Sequence, residues 1–430
     1  MTPTTIRRTA RAGAVLGLAS LALVACGRDA GSDGPAEQGA AIDEGKATGT
    51  IEVWAMGTEG EVLGDFAKAF TDANPDAEVE VTAVPWESAH EKIANAIAAG
   101  ETPDVTLVGT TWMGEFAQSG GLDPLPEDLV SSSDFFDGAW GSTEVGGTSY
   151  GVPWYVETRV LYYRKDLAQK AGWDKPPATW DELKQFATDL QDKGGAEYGI
   201  QLPAGGTGSW QTMLPFAWSA GAGVTNEDGT EYTLDTDEMT EALDYYKGYF
   251  DDGISPTRLL DAGELESGFA DGTYGSFISG PWHTGLVEDQ GVTEDQYAVA
   301  MLPGKDSGPG TSFVGGGDLA VFADSDNKES AWKLVQWLAD PDTQQDFYDE
   351  MGDLPAVSAA WDSGELAEDP QLSIFGDQLD HTLAPPAVPT WEEVATVIDS
   401  QVEKATKGDT SVEDAVKEMQ RQAAQIGTGL

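Results

Sequence analysis

The alternation of strand and helix signals between residues 50 and 108 most narrows what this chain can fold into. Ile51 and Val53 alternate along a short run that ends at Trp54, and Gly57 and Gly60 then interrupt it. Val62, Phe66 and Phe70 recur at helical spacing until Asn74-Pro75 stops the pattern. Glu78 to Val84 reads as a second strand, a helix from near Glu87 stops at Gly100, and Asp104 to Val108 reads as a third strand. This order and spacing predict βαβ units and a parallel sheet. Val152 to Arg164 reads as an extended segment. A helix is predicted after Thr179, which forms a capping box with Glu182; Ser411 and Asp414 make a second such pair. Further helices are predicted at 237–251, 327–339, 341–351, 390–406 and 411–425. A chain of 430 residues is long for one core, so two lobes are expected. No solenoid repeat and no low-complexity linker divides residues 49–430, so the chain must cross between lobes more than once.

The N-terminus reads as a targeting segment. Arg7, Arg8 and Arg11 precede an apolar run, Ala12 to Leu23, that is too short to span a bilayer. It ends in Leu23-Val24-Ala25-Cys26-Gly27, which resembles the lipobox of bacterial lipoproteins. Residues 1–26 are therefore expected to be a lipoprotein signal peptide, with Cys26 lipidated and the protein held at the outer face of the cell membrane. Cys26 is the single cysteine, which excludes an intramolecular disulfide and a Cys-rich zinc site. Residues 27–48 lack aromatics and are rich in Gly, Ala and acids, so they are expected to be a flexible tether. No later apolar run is long enough to span, which predicts an anchored rather than a spanning protein. The 75 acids against 23 bases give a net charge of -52, a field that repels phosphate backbones and argues against nucleic acid as a partner. His90, His283 and His381 lie far apart without metal spacing, and no metal or cofactor is expected.

Several segments carry a family likeness: TPDVTLVGTTWMGEFAQSGGLDPL (102–125), YGVPWYVETRVLYYRKDL (150–167), PPATWDEL (176–183), FADGTYGSFISGPW (269–282), FVGGGDLAVFADSDNKESAWKLVQWL (313–338) and APPAVPTWEEV (384–394). In this order they resemble the maltose-binding-protein-like, family 1 solute-binding proteins of carbohydrate ABC importers. The resemblance implies an α/β, two-lobe periplasmic-binding-protein-like fold with a multi-strand hinge and a central ligand cleft. By analogy, lobe 1 comprises 49–157 and 317–371, and lobe 2 comprises 158–316 and 372–430. It implies a monomer that closes on an oligosaccharide and presents it to the importer's permease subunits, without catalysis.

A sugar site needs aromatic faces for the apolar side of the ring and fixed polar groups for its hydroxyls. Of the 14 tryptophans, Trp54, Trp180, Trp332 and Trp337 read as core. Trp112, Trp210, Trp282 and Trp391 sit in turn-rich contexts or at helix starts, where an α/β cleft has its rim; the resemblance places Trp282 and Trp391 best at sugar-stacking positions. Tyr155, Glu157 and Arg159 share one strand face, either as ligand contacts or, for Glu157 and Arg159, as a salt bridge alone. The resemblance matches Glu157 to a sugar-binding acid and the Gly57-Thr58-Glu59 turn to a polar contact loop, though Thr58 and Glu59 depart from the Asp-Lys pair known there. Gly315, Gly316, Gly317 and Asp318 read as a close backbone approach to ligand or as a hinge. Thr110 and Thr111 are weaker candidates. A secreted glycosidase, a polyamine-binding protein and a structural lipoprotein are the competing readings.

Overall fold

The computed structural model describes residues 39–430 apart from Ala262. Cys26, the signal peptide and the start of the expected tether lie outside the described residues. The rest of that tether departs from expectation: the Gly39 amide donates to the Leu125 carbonyl at 3.1 Å, and Ala47 is fully buried with its amide on Asn74 Oδ1 at 3.0 Å. The Thr48 amide donates to Ser330 Oγ at 3.0 Å. Backbone groups in this stretch find partners on the body, which its polar composition did not reveal.

The opening βαβαβ pattern folds as predicted. In β1 (Gly49–Met56), Ile51, Val53 and Ala55 alternate into the core, and β1 pairs in parallel with β2 (Ala77–Val84) and β3 (Val105–Gly109). The first helix starts earlier than predicted, at Gly57–Phe66, because Gly57 takes a φ of +60° that lets the chain turn straight out of the strand. A short hairpin, β4 (Glu144–Val145) and β5 (Thr148–Ser149), leads to the extended segment. That segment is two strands, β6 (Val152–Thr158) and β7 (Val160–Arg164), separated at Arg159.

These two strands belong to different sheets. β7 lies between β8 (Ser276–Ser279) and β9 (Tyr297–Ala300), both antiparallel to it. β6 lies in the main sheet between β10 (Ser312–Val321) and β11 (Leu354–Pro355), antiparallel to both. β10 also pairs antiparallel with β3 and in parallel with β12 (Thr382–Leu383), giving the order β11-β6-β10-β3-β1-β2. The parallel arrangement thus holds for β1–β3, and the strands nearest the crossing are antiparallel.

Local chemistry sets the helix ends. Thr179 Oγ1 accepts the Glu182 amide at 3.2 Å, and Glu182 Oε2 accepts the Ala178 amide at 2.8 Å. Ser411 Oγ accepts the Asp414 amide at 3.1 Å. The helix Pro341–Met351 has proline in its first turn, an Asp340 cap at its start and Gly352 at φ +80° at its end. That left-handed glycine turns the chain directly into β11.

Two large apolar cores result. One surrounds the main sheet and contains Leu107, Trp154, Trp332 and Phe347. The other gathers Trp180, Trp210, Tyr246, Trp391 and Met419 between the later helices. Trp180 and Trp332 are buried, as read from the sequence, and Trp54 and Trp337 are half-buried against the first core.

Candidate functional site

Where β6 passes toward β7, side chains alternate between interior and cleft. Val156 and Thr158 are buried; Tyr155, Glu157 and Arg159 are partly open. A cleft of ≈ 540 Å³ opens over this face. Tyr155, Glu157 and Gly316 form its floor, Trp86 and the turn Met351–Leu354 one wall, and Pro281, Trp282 and Gly285 the other.

Trp282 follows β8 in the turn Gly280-Pro281-Trp282. A side chain at Gly280 would put its Cβ 2.1 Å from the Trp282 ring, so glycine is what lets the indole lie back over the turn. Tyr162 Oη donates to the Gly280 carbonyl at 2.8 Å and lies 3.1 Å from Thr284 Oγ1, fastening the turn to β7. Behind it, His283 Nδ1 lies 2.8 Å from Ser279 Oγ and Nε2 lies 3.2 Å from Glu266 Oε1. Burial pushes the His283 imidazole down, with Glu266 pulling the other way. His283 thus supports the turn. Trp282 is 42% exposed, a large apolar residue left open at the cleft.

The Arg159 guanidinium sits 4.7 Å from the Trp282 ring centroid. Its Nη2 donates to Glu157 Oε1 at 3.2 Å and to Gln211 Oε1 at 3.0 Å. The Glu157–Arg159 salt bridge, one of the two readings of this pair, is therefore present, and it leaves capacity over: Glu157 Oε2 and Arg159 Nε are buried without a hydrogen-bond partner. Burial pushes the Glu157 carboxyl up while Arg159 draws it down. Across the floor, burial and then the Glu59 charge push Asp353 up to about 7. Burial, followed by the Glu59 and Asp353 charges, holds the Tyr155 hydroxyl well above its ordinary range.

The other expected site residues divide into supporting and interior positions. Glu59 is buried behind Tyr155 and Asp353, and exposed Thr58 reaches its Oε2 at 3.4 Å. Thr111 and Trp112 are half-buried at the start of the helix Met113–Gln118; Trp112 backs Trp86 edge-on at 5.6 Å. Gly316 borders the cleft with φ +126°, and a Cβ there would lie 2.1 Å from the Tyr155 carbonyl oxygen. Gly317 is buried beneath the Tyr155 ring and Leu107.

Three expectations are corrected in position. Asp318 is 1% exposed and does not line the cleft; it follows Gly317, the partner of Tyr155, so strand alternation points it to the opposite face, where Ser142 Oγ donates to its carboxylate at 3.1–3.2 Å. Trp210 and Trp391 sit at helix starts, yet they pack edge-to-face at 5.0 Å inside the second core, with Phe313 5.3 Å from Trp210. Asp399 holds that arrangement by accepting from the Gly208 and Trp210 amides and from Ser209 Oγ. A helix start places the backbone at the rim but does not decide which way the ring points.

Trp86, Gln211 and Asp353 escaped the sequence reading. Trp86, in Pro-Trp-Glu-Ser, carries the same helix-start signal as the four tryptophans singled out. Asp353 has a weaker one, an acid between a helix-ending glycine and Leu-Pro.

A cleft floored by crossing strands, walled by aromatics and lined with uncommitted polar groups defines a solute-binding protein. The sequence profile described as bacterial extracellular solute-binding protein matches residues 56–345, and the chain belongs to that family. It is 28% identical over 423 residues to a putative binding protein of Brucella abortus, covering 97% of this chain and 98% of that one. It is 28% identical over 368 residues to a maltotriose-binding protein of Pyrococcus abyssi, covering 82% and 77%. The sugar-binding protein MalE of Xanthomonas citri superposes with a TM-score of 0.82 at 32% identity, covering 88% of this chain and 97% of that structure. The fold is the two-lobe α/β fold of maltose-binding-protein-like carbohydrate binders, and the family places the protein outside the cytoplasm. No helix among the described residues is long and apolar enough to cross a membrane.

Proposed function

We propose that this protein captures an oligosaccharide in the cleft and delivers it to a membrane ABC importer. The observation that carries this reading is the exposed face of Trp282 set beside Glu157 and Arg159, each with an unsatisfied buried polar atom. A sugar ring supplies both complements: a C–H face for the indole, and hydroxyls that donate to the carboxylate and accept from the guanidinium. Relatives named for maltotriose, diacetylchitobiose and galactooligosaccharide binding support extending sugar capture to this chain. Its relatives are binding proteins, which favours capture without catalysis.

In this reading lobe 1 is 49–157 with 317–371 and lobe 2 is 158–316 with 372–430, the floor strands forming the hinge. Lipidation of Cys26 anchors a monomer beside the permease. Calorimetry on the chain lacking residues 1–26, against mono-, di- and trisaccharides, tests the function. One-to-one binding of a disaccharide or trisaccharide with the sugar recovered intact is expected. Silence across the panel together with spermidine binding would replace the sugar reading.

A further inference from the structure

The register of β11 on β6 has a consequence for selectivity. Leu354 pairs with Val156 and Pro355 with Tyr155, and Asp353 immediately precedes that two-residue ladder. Asp353 and Glu157 both line the cleft. On the β10 side Glu157 faces Gly315, where a Cβ would lie 2.9 Å from Glu157 Oε1. Glu157 thus has bare backbone on one side and shares the cleft with a second acid.

Asp353 Oδ2 and Glu157 Oε2 are both buried without a hydrogen-bond partner. Glu59, buried behind them, adds a third acid that raises Asp353. The cation at hand is Arg159, and its Nη2 is already taken by Glu157 and Gln211. The two free carboxylate oxygens are acceptors, so they call for donors from the ligand.

Resting on the oligosaccharide reading above, we infer that Asp353 is a specificity-determining ligand contact, lining the cleft with Glu157 to accept hydroxyl hydrogen bonds from a neutral oligosaccharide and to reject anionic sugars. A hydroxyl satisfies a buried carboxylate oxygen without adding charge. A uronate, sulfate or phosphate group would bring a further negative charge and further acceptors to a floor that already holds unpaired ones.

The test is calorimetric titration of the chain lacking residues 1–26, as wild type, Asp353→Asn and Asp353→Ala. Maltose, trehalose, cellobiose and maltotriose are the neutral probes, and digalacturonate is the acidic one. Wild type is expected to bind at least one neutral probe and to bind digalacturonate far more weakly. Asp353→Ala should lose roughly tenfold to a hundredfold for that neutral probe, the range for a hydrogen bond to a charged group. Asp353→Asn keeps an acceptor oxygen, so it should lose less and narrow the gap between neutral and acidic probes at least fivefold. If Asp353→Ala does not fold, the isosteric Asn variant decides alone, and an unchanged acidic-to-neutral ratio overturns the inference. Digalacturonate binding to wild type as tightly as the best neutral probe overturns it too, as does Asp353→Ala binding within twofold of wild type. If folded wild type binds no neutral probe, the oligosaccharide reading itself fails and this inference falls with it.

Discussion

Removing the Trp282 ring should weaken sugar binding without unfolding the protein. A tryptophan side chain offers about 250 Å² at most, and 42% of Trp282 is exposed, leaving roughly 100 Å² open to a ligand. A pyranose lying on the indole covers about half to all of that area. At about 25 cal/mol per Å², the lost contact is about 1.3 to 2.5 kcal/mol, a fall of about tenfold to seventyfold in affinity. The ring makes little contribution to either apolar core and lies over the backbone of its own turn, so Trp282→Ala should lower the melting temperature by less than about 3 °C. Calorimetry of the variant against the sugar that wild type binds best, with a thermal melt on the same sample, checks both numbers. Affinity within threefold of wild type would refute the stacking argument. A melting point lower by more than about 10 °C would make the ring a core residue.

Trp391→Ala should behave in the opposite way: the ring is fully buried, so unfolding free energy falls by about 3–5 kcal/mol, while any folded fraction binds sugar with near wild-type affinity; denaturant melts paired with titration read both. For Asp318, burial raises the carboxyl from 3.8 to about 8. The folded state therefore holds a proton that the unfolded chain releases, and its contribution makes stability fall as pH rises from about 4 to about 8. Asp318→Asn removes that slope, so its melting temperature should gain on wild type between pH 5 and pH 8, with sugar affinity unchanged; two parallel pH profiles would contradict the assignment. Gly316→Ala puts a Cβ 2.1 Å from the Tyr155 carbonyl oxygen at φ +126°, and should destabilise the protein by about 2 kcal/mol or more in urea melts.

Local rules read well from this sequence. The capping pair Thr179 and Glu182 and the helix Asp237–Asp251 stand where periodicity and hydroxyl placement put them. The alternation of Tyr155, Glu157 and Arg159 on one face survives because a strand leaves its side chains no other choice. Tertiary direction was harder to read. Trp210 and Trp282 both begin helices next to small or polar residues, but Phe313 and Trp391 receive the first in a core while Gly280 lays the second toward the cleft. Asp318 reads together with the glycines before it, but it follows Gly317, the partner of Tyr155, and alternation sends it to the other face. Asp353 reaches the cleft because the strand that follows it pairs with β6, about two hundred residues earlier in sequence, which no local pattern announces.

The placement of β10 limits how such a protein can diversify. This late strand is hydrogen-bonded between β3 and β6, both drawn from the first half of the chain. No cut between β6 and β10 therefore yields a front piece and a back piece with intact sheets, and exchanging halves between relatives would break the floor of the cleft at the seam. A change of ligand in this architecture is therefore simplest made by exchanging side chains on the intact whole, and the proposed contacts Trp282 and Asp353, both at the cleft lining, are the places to begin.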